Sequence, residues 1–352
     1  MSGIPDLNIN RKTAMSNSDE PSYSIADPLI VIPCLNEAQY IATILNQLCR
    51  TIRRIGGRVV VVDGGSTDGT LDIVQRFVAA DDRISLLHNP ERIQSAAINL
   101  AIADDADRAT YLIRMDAHCA YPDDFCDVLM QQAKSVHADS IVVSMIAQGT
   151  QSLQRINAAT QNEAIGNGGS AHRKIPSGAY VDHGHHALIK IAAFRAVGGY
   201  DPKFTHNEDA ELDYRLRRAG HRIWLTSSTV ITYFPRSSLR AVARQYFHYG
   251  AGRASNLLKH RLAPRLRQAK VMMVAPAILL ALLSSVHWVF AVPALVWAAY
   301  CLQAGIRLAW AQQDPALTLC GVFAMTMHLS WSIGFWQKVF RGIAPLSRRT
   351  LQ

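Results

Sequence analysis

Two uncharged stretches near the C-terminus constrain the fold more than any other feature of this sequence. No Asp, Glu, Lys or Arg occurs in residues 271–306 or in residues 315–337. A helix needs roughly 20 apolar residues to cross the hydrocarbon core of a bilayer, and both stretches are long enough. A buried helix of a soluble core seldom continues so far without a charge. The sequence therefore predicts a transmembrane region at residues 271–337.

The number of spans is open at this stage. Basic residues collect on the cytoplasmic side of membrane helices, and they occur both before and after this region, at residues 236–270 and 341–349. That distribution requires an even number of crossings. Two is the simplest count, with the first helix tilted or bent near Pro293. A tight hairpin at residues 284–287 would instead give three spans.

The positive charge of the chain is confined to its C-terminal third. A net charge of +9 and a pI near 9.4 fit nucleic-acid binding at first sight. All but one of the acidic residues, however, lie in residues 1–235, where they outnumber the basic ones. Residues 236–270 contain no acid, and their basic residues are Arg236, Arg240, Arg244, Arg253, Lys259, Arg261, Arg265, Arg267 and Lys270. This placement favours anionic lipid. We predict a basic amphipathic interface segment at 236–270, a basic cytoplasmic tail at 338–352 and no nucleic-acid partner.

The N-terminus and the cysteines indicate a cytosolic domain. Residues 1–27 are polar and lack the apolar core of a signal peptide, so we expect a disordered tail. The six cysteines form neither a C-x-x-C pair nor a secreted disulfide pattern, which fits a reducing compartment.

Residues 29–146 alternate short β-branched runs with helical patterns. The predicted strands are residues 29–33, 58–63, 84–88, 111–116 and 140–146, and the predicted helices are residues 38–53, 68–79, 93–103 and 123–137. The alternation predicts an α/β fold, a mostly parallel sheet with helices on both faces. Ligands of such sheets bind at the carboxyl ends of the strands. Polar clusters lie there at residues 33–37, 63–68 and 116–118.

These clusters carry a resemblance to a known family. The runs Val31-Ile32-Pro33-Cys34-Leu35-Asn36-Glu37 and Asp63-Gly64-Gly65-Ser66-Thr67-Asp68, with Gly198-Gly199-Tyr200-Asp201 and Asn207-Glu208-Asp209-Ala210-Glu211-Leu212, resemble the family 2 inverting glycosyltransferases. Asp116-Ala117-His118 through Pro122, the glycine loop at 166–170 and the C-terminal spans resemble the succinoglycan-type exopolysaccharide glucosyltransferases. The resemblance implies a Rossmann-like GT-A domain at residues 28–235, followed by transmembrane helices.

The resemblance also implies a donor site. Glu37 and Asp63 would hold the uridine of a UDP-sugar, because carboxylates accept from the ring N–H and from ribose hydroxyls. Many relatives have two consecutive acids where this chain has Asp63-Gly64, so one contact is altered. The further substrate-binding residues on this side are Pro33, Asn36, Ser66 and Asp68.

Asp116 and His118 occupy the place of the family's D-x-D motif. A divalent metal, Mn²⁺ or Mg²⁺, would bridge the two phosphates there and neutralise the charge on the leaving nucleoside diphosphate. The imidazole favours Mn²⁺. His118 has three alternatives: metal ligand, direct donor to phosphate, or structural neighbour.

Asp209 is the predicted catalytic base, expected just before a helix at residues 211–218. It would deprotonate the acceptor hydroxyl, with Glu208 binding substrate beside it. A carboxylate that merely favours a helix N-terminus is the plainer alternative. Gln245 is expected to line the acceptor site, although an amphipathic interface helix explains its segment as well. His183, His185, His186 and His206 favour acceptor or diphosphate contacts over a zinc site.

Together these features predict a membrane-attached inverting, metal-dependent glycosyltransferase in the inner (cytoplasmic) membrane, with its catalytic domain in the cytosol. It would move a single sugar from a UDP-sugar to a polyprenyl-diphosphate-linked glycan in exopolysaccharide biosynthesis, beside other polysaccharide-assembly enzymes. So few spans cannot easily enclose a polymer channel. A catalytically degenerate sugar-nucleotide-binding protein is the main alternative. A nucleotidyltransferase is a weaker one, because Leu35-Asn36-Glu37-Ala38 replaces the expected triphosphate loop.

Overall fold

The structure is a computed structural model that describes residues 27–105, 109–169 and 177–343. The predicted N-terminal tail, Ser170 of the glycine loop and the tail residues Arg348 and Arg349 lie outside the described residues.

One mixed sheet forms the centre of the N-terminal domain. Its nine strands are β1 (Pro28–Cys34), β2 (Arg58–Asp63), β3 (Ile84–His88), β4 (Tyr111–Arg114), β5 (Cys119–Ala120), β6 (Ser140–Ala147), β7 (Ala179–Tyr180), β8 (His185–Lys190) and β9 (Ile223–Tyr233). The strand order is β3-β2-β1-β4-β8-β6-β9-β5, and β7 pairs with β9. Strands β1 to β4 run parallel, and β8 is antiparallel to both of its neighbours. The carboxyl ends of β1, β2 and β4 therefore meet at one edge.

Helices cover both faces of this sheet. Those of the N-terminal domain are α1 (Ile41–Ile55), α2 (Thr70–Ala80), α3 (Gln94–Asp104), α4 (Phe125–Ser135), α5 (Ser152–Asn162), α6 (Ala164–Asn167), α7 (Ile191–Ala196) and α8 (Glu208–Arg218). Along β1, Ile30 and Ile32 pack against α1 and α4, whereas Leu29 and Val31 pack against α3 and α8. Alternate residues of a strand point to opposite faces, so β1 is buried on both sides. This burial explains the continuous apolar runs of the central strands.

The predicted strands and helices of residues 29–146 match the observed ones to within a few residues. One difference in this range and one at the helix predicted for residues 211–218 are informative. Strand β4 ends at Arg114, so Asp116 lies in the loop beyond it. Helix α8 begins at Glu208 rather than near residue 211, so the expectation that Asp209 precedes a helix is wrong. Asn207 takes a left-handed conformation with φ of 61° and turns the chain into the helix early. Asp209 therefore lies in the first helical turn.

The C-terminal part is helical. It contains α9 (Leu239–His260), α10 (Leu266–Met272), α11 (Val274–Ala281), α12 (Val292–Gln312) and α13 (Cys320–Ile343). Three helical segments within the described residues are long and apolar enough to cross a membrane: Leu266–Ser285, Trp288–Gln312 and Pro315–Gly342. The first two are separated by residues 286–287, where the hairpin alternative predicts a break.

Helix α13 packs directly along α9, which joins the last apolar helix to the catalytic domain. A Cβ atom on Gly250 of α9 would lie 1.9 Å from the backbone oxygen of Trp331, and one on Gly334 of α13 would lie 1.9 Å from that of Phe247. The backbones approach this closely only because both positions lack a side chain. Within the predicted basic segment 236–270, residues 239–260 therefore form an ordered helix between the N-terminal domain and α13.

Candidate active site

Two loops at the carboxyl edge of the sheet are fastened to each other by side chains. The backbone N–H of Asn36, after β1, donates to Ser66 Oγ at 2.8 Å, and the N–H of Thr67, after β2, donates to Asn36 Oδ1 at 2.8 Å. The N–H of Ala38 donates to Asp68 Oδ2 at 3.1 Å. Asn36 can face the second loop because it adopts a left-handed φ of 57°. The two loops therefore form one rigid floor.

Asp63 lies at the centre of this floor. Its Oδ1 accepts from the N–H groups of Gly65 at 2.7 Å and Ser66 at 2.8 Å, and its Oδ2 accepts from the Ser66 hydroxyl. The residue is only 1% exposed. A carboxylate with three donors from its own loop has little capacity left for a ligand. In this structure Asp63 stabilises the conformation of the loop that follows β2.

A single large cleft opens above the floor, with a volume of about 1240 Å³. Its walls include seven of the predicted site residues: Pro33, Glu37, Asp116, His118, Glu208, Asp209 and Gln245. The other four predicted residues, Asn36, Asp63, Ser66 and Asp68, are not among its lining residues and belong to the hydrogen-bonded floor. The structure thus separates the predicted set into a lining group and a supporting group.

Glu37 and His118 come together across one end of the cleft. Glu37 Oε1 lies 2.9 Å from His118 Nδ1. This hydrogen bond raises the pKa of His118 above the ordinary histidine value of 6.5. When the imidazole is neutral and Nδ1–H donates to Glu37, its Nε2 carries the lone pair and can accept a ligand.

Asp116 is held by neighbours that the sequence alone did not assign. Its Oδ1 accepts from Gln94 Nε2 at 2.7 Å and lies 3.3 Å from Arg114 Nε. Burial opposes ionisation of Asp116, but Arg114, His185 and His118 lower its pKa to about 2. Asp116 is therefore an anion throughout the physiological pH range.

Arg114 connects Asp116 to Asp209. Its Nη1 donates to Asp209 Oδ1 at 2.8 Å, and the Tyr200 hydroxyl donates to the same oxygen at 2.7 Å. Burial alone would raise the pKa of Asp209, but Arg114, His186 and His185 lower it. Asp209 is ionised and fixed in position, with Oδ2 facing His185 Nδ1 at 3.9 Å.

Glu208 differs sharply from its neighbour. None of the described residues makes a hydrogen bond or an ion pair with its carboxylate, although it lines the same cleft. Burial and the adjacent charge of Asp209 raise the pKa of Glu208 to about 7. Two consecutive carboxylates thus have pKa values moved in opposite directions, a pattern typical of acid–base sites.

Of the predicted histidines, His183, His185 and His206 line the cleft, whereas His186 is buried and does not. His185 lies between the two carboxylates, with Nε2 3.8 Å from Asp116 Oδ2, and burial lowers its pKa. His183 Nδ1 is 2.7 Å from Asp213 Oδ2, and His186 Nε2 is 2.9 Å from Asp213 Oδ1. Asp213 thereby anchors the strand that carries His185 to helix α8.

Asp116 and His118 could hold a cation only together with further ligands. Asp116 retains Oδ2 and His118 retains Nε2 after the contacts described above. Across the part of the chain that the structure describes, no group of three or more His, Cys, Asp or Glu side chains could hold a metal ion. One carboxylate oxygen and one imidazole nitrogen suit Mn²⁺ or Mg²⁺. The residues therefore fit a cation whose remaining ligands come from a diphosphate or from water.

One wall of the cleft is formed by α9 and the residues just before it. Gln245 Nε2 donates to the hydroxyls of Tyr249 at 2.9 Å and Tyr233 at 3.1 Å. Arg236, Arg240 and Arg244 line the cleft as well. The basic segment therefore faces the site along part of its length rather than only a membrane surface.

Sequence reasoning missed Arg114, Gln94 and the role of Tyr200. Arg114 had a usable signal, since it is two residues before Asp116 in extended chain, where such residues share a side. Gln94 had none, because the start of α3 comes close to Asp116 only through the order of the strands.

The fold and this cleft define a class of protein, the glycosyltransferases with a GT-A domain. The profile described as "Glycosyl transferase family 2" matches residues 29–198. The chain is 51% identical over 311 residues to succinoglycan biosynthesis protein ExoA of Rhizobium meliloti (strain 1021), a match that covers 88% of this chain and 94% of that protein. The chain therefore belongs to glycosyltransferase family 2.

Two more distant proteins are also similar. A dolichyl N-acetyl-alpha-D-glucosaminyl phosphate 3-beta-D-2,3-diacetamido-2,3-dideoxy-beta-D-glucuronosyltransferase of Methanococcus voltae is 24% identical over 245 residues, which cover 65% of this chain and 74% of that protein. The structure of mannosyltransferase PcManGT from Pyrobaculum calidifontis, in complex with GDP-Man and Mn²⁺, superimposes with a TM-score of 0.56. At 18% identity, over 92% of this chain and 90% of that one, it shows a shared fold.

Proposed function

We propose that this protein is a membrane-attached inverting glycosyltransferase. It moves one sugar from a UDP-sugar to a polyprenyl-diphosphate-linked glycan at the cytoplasmic face of the inner membrane, during exopolysaccharide biosynthesis. The observation that carries the proposal is the continuity of the cleft. It extends from Pro33 and Glu37, past Asp116 and Asp209, to Met327 and Trp331 of the last apolar helix. A water-soluble donor and a lipid-linked acceptor could thus enter one site from different sides.

The donor end suits a nucleoside diphosphate sugar. Glu37 can accept from the nucleoside, and His118, Arg236 and Arg240 offer positive or donating groups to the phosphates. A divalent cation held by Asp116 and His118 would neutralise the charge on the leaving diphosphate. Arg114 is committed to two carboxylates, so it supports the site rather than binding phosphate.

Asp209 is proposed as the base that takes the proton from the acceptor hydroxyl. Its Oδ2 faces the cleft, and the bonds to Arg114 and Tyr200 hold Oδ1 still, which favours a fixed reacting geometry. Glu208 is the second candidate, because none of the described residues forms an ion pair with its carboxylate and its pKa of about 7 suits a general base better on acid–base grounds alone. Direct displacement assisted by one base inverts the anomeric configuration.

The lipid acceptor and the polysaccharide pathway are supported by the relatives. The protein of Rhizobium meliloti is named for succinoglycan biosynthesis, and that of Methanococcus voltae for a dolichyl-phosphate-linked sugar. Two of the three apolar helical segments contribute residues to the cleft, which favours a lipid carrier as the acceptor. Other enzymes of polysaccharide assembly are then the expected neighbours in the membrane.

Transfer assays on membranes containing the full chain test this proposal. Membranes are incubated with a panel of radiolabelled nucleotide sugars and extracted lipid-linked acceptors, with membranes carrying Asp209→Asn as the matched control. We expect label from one UDP-sugar in the lipid extract, together with release of UDP, and neither with the variant. Tight UDP-sugar binding without UDP release would instead favour the degenerate binding protein. Label from a GDP-sugar only would contradict the donor assignment.

A further inference from the structure

The end of the cleft that is lined by α10 and α13 contains two basic side chains. The proposed donor contacts and the proposed base do not involve them. Arg253 of α9 and Arg267 of α10 line this end together with Gln268. Arg253 is half-buried, and none of the described residues forms a hydrogen bond or an ion pair with its guanidinium. Burial, together with Arg267 and Arg265, lowers the pKa of Arg253 to about 10. Partial burial of a cation without a carboxylate partner costs free energy, and an anion in the cleft would offset that cost.

The neighbouring basic residues are engaged elsewhere in the fold. Arg265 pairs with Asp182 at 2.6 Å. Lys259 pairs with Asp201 at 2.7 Å and with Glu211 at 2.6 Å. Arg253 differs from both because it faces the cleft instead of a carboxylate.

The wall beside this pair is apolar. Val271 belongs to α10, and Met327 and Trp331 belong to α13. These apolar side chains line the cleft together with the two guanidinium groups. All three side chains belong to helices that are long and apolar enough to cross a membrane. A ligand that fills this end needs a phosphate-like head and a hydrocarbon tail.

The position of Arg253 also connects this end to the reacting groups. A Cβ atom on Gly252 would lie 2.4 Å from the backbone oxygen of His206, and one on Gly250 would lie 1.9 Å from that of Trp331. The turn of α9 that carries Arg253 is thus packed between the loop before Glu208 and the apolar helix α13. A head group bound here would place whatever is attached to it near Asp209.

We propose that Arg253 and Arg267 bind the phosphate groups of an isoprenoid-lipid diphosphate, whose hydrocarbon chain leaves the cleft along Val271, Met327 and Trp331. This assignment rests on the proposed function, since it names the contacts that the lipid-linked acceptor makes. It divides the basic cleft residues into two sets. Arg236, Arg240 and Arg244 serve the donor end, and Arg253 and Arg267 serve the acceptor lipid.

Binding of farnesyl diphosphate to the full chain in detergent micelles tests the assignment without any sugar transfer. Each loss of a charge-assisted hydrogen bond to phosphate should weaken binding about 10- to 100-fold. We therefore expect the Kd for farnesyl diphosphate to rise by that factor in Arg253→Gln and in Arg267→Gln, while the Kd for UDP changes less than about twofold. Lys270→Gln is the matched control, because this basic residue of α10 does not line the cleft.

Further probes separate the sources of the anion. Farnesol lacks the diphosphate group, and inorganic diphosphate lacks the hydrocarbon chain. Each should therefore bind more weakly than farnesyl diphosphate. Inorganic diphosphate that binds as tightly as farnesyl diphosphate would overturn the lipid assignment. An unchanged Kd for farnesyl diphosphate in both arginine variants would overturn the site. Arg267 is exposed, so its variant remains informative even if Arg253→Gln fails to fold.

The assignment and the proposed function can fail separately. Absence of transfer from every nucleotide sugar, with arginine-dependent binding intact, would refute the function and leave the lipid site. Transfer to a lipid acceptor at the parent rate by Arg253→Gln and Arg267→Gln would refute the site and leave the function.

Discussion

The guanidinium of Arg114 joins the two most important carboxylates of the cleft, with Nη1 2.8 Å from Asp209 Oδ1 and Nε 3.3 Å from Asp116 Oδ1. Arg114 is nearly buried, and each carboxylate retains one oxygen toward the cleft. The arrangement keeps two anions close together and ionised, which their mutual repulsion would otherwise oppose. Arg114 therefore sets the charge state in which the site works.

Replacing Arg114 with Lys should move the acid limb of the pH profile. Lys keeps one charge but cannot contact both carboxylates in the same way. The pKa values of Asp116 and Asp209 would rise, so higher pH would be needed to ionise them, and kcat/KM would fall at acidic pH first. The measurement is kcat/KM against pH for the parent and the variant. Superimposable profiles would contradict this role.

The two neighbouring carboxylates of α8 can be distinguished by their variants. Loss of a general base typically costs about 10²- to 10⁴-fold in rate, so Asp209→Asn should lower kcat by that factor and leave the Kd for UDP nearly unchanged. Glu208→Gln should have a smaller effect if Asp209 is the base.

The pH profile separates the same two candidates. The pKa of Glu208 is raised to about 7, so a rate that depended on its ionised form would fall as the pH dropped through 7. Loss of this limb in Glu208→Gln, with most activity gone, would transfer the catalytic role to Glu208.

The floor of the cleft should respond differently from its lining. Asp63→Asn keeps an oxygen for the N–H groups of Gly65 and Ser66 but replaces Oδ2, which accepts from the Ser66 hydroxyl, by an NH2 donor. We expect this loss of a buried acceptor to lower the free energy of unfolding by about 1–3 kcal/mol. UDP affinity should fall along with stability. Glu37→Gln should weaken UDP binding while the Tm stays near that of the parent. Thermal unfolding and UDP titration of both variants check this, and an unchanged Tm in Asp63→Asn would be inconsistent with the supporting role.

Chelation should remove activity if Asp116 and His118 hold a cation. Addition of Mn²⁺ or Mg²⁺ should restore it in the parent but much less in His118→Ala. The imidazole must be neutral to bind metal, and Glu37 raises its pKa. Metal-dependent activity should therefore decline on acidification from a higher pH than an ordinary histidine would give. Turnover in the presence of EDTA at the parent rate would argue against metal dependence.

The contact between α9 and α13 should not tolerate a side chain. Gly334→Ala gains up to about 1 kcal/mol of helix propensity, but its Cβ would lie 1.9 Å from the backbone oxygen of Phe247. Such a clash with backbone costs about 1–3 kcal/mol, so a lower Tm is expected. Gly342→Ala is the matched control, since its Cβ would meet only a flexible methyl of Leu258 at 3.3 Å. Equal Tm values for the two variants would contradict the close packing.

Local sequence patterns alone predict most of the strands and helices of this protein. Short β-branched runs that alternate with helical patterns predict β1, β2, β3 and the helices between them. A strand that is buried on both faces of a sheet is apolar along its whole length, so its sequence shows it directly. The absence of charge over residues 271–306 and 315–337 predicts the apolar helices in the same way. The polar clusters at residues 33–37, 63–68 and 116–118 are predicted to lie at one edge, since parallel strands end together, whereas Asp209 is assigned from the family resemblance.

Only the tertiary structure decided which residues line the site and which support it. Asp63 and Glu37 both belong to polar clusters at the carboxyl ends of predicted strands, yet the hydrogen bonds of the following loop saturate Asp63 while Glu37 lines the cleft. The lowered pKa of Asp209 depends first on Arg114, which is distant in the chain, whereas burial and the charge of Asp209 raise the pKa of Glu208. The apposition of Arg253 with Met327 depends on α13 packing against α9. Charge and burial at a site arise from contacts between distant segments, and these contacts leave no local periodicity for sequence reasoning to detect.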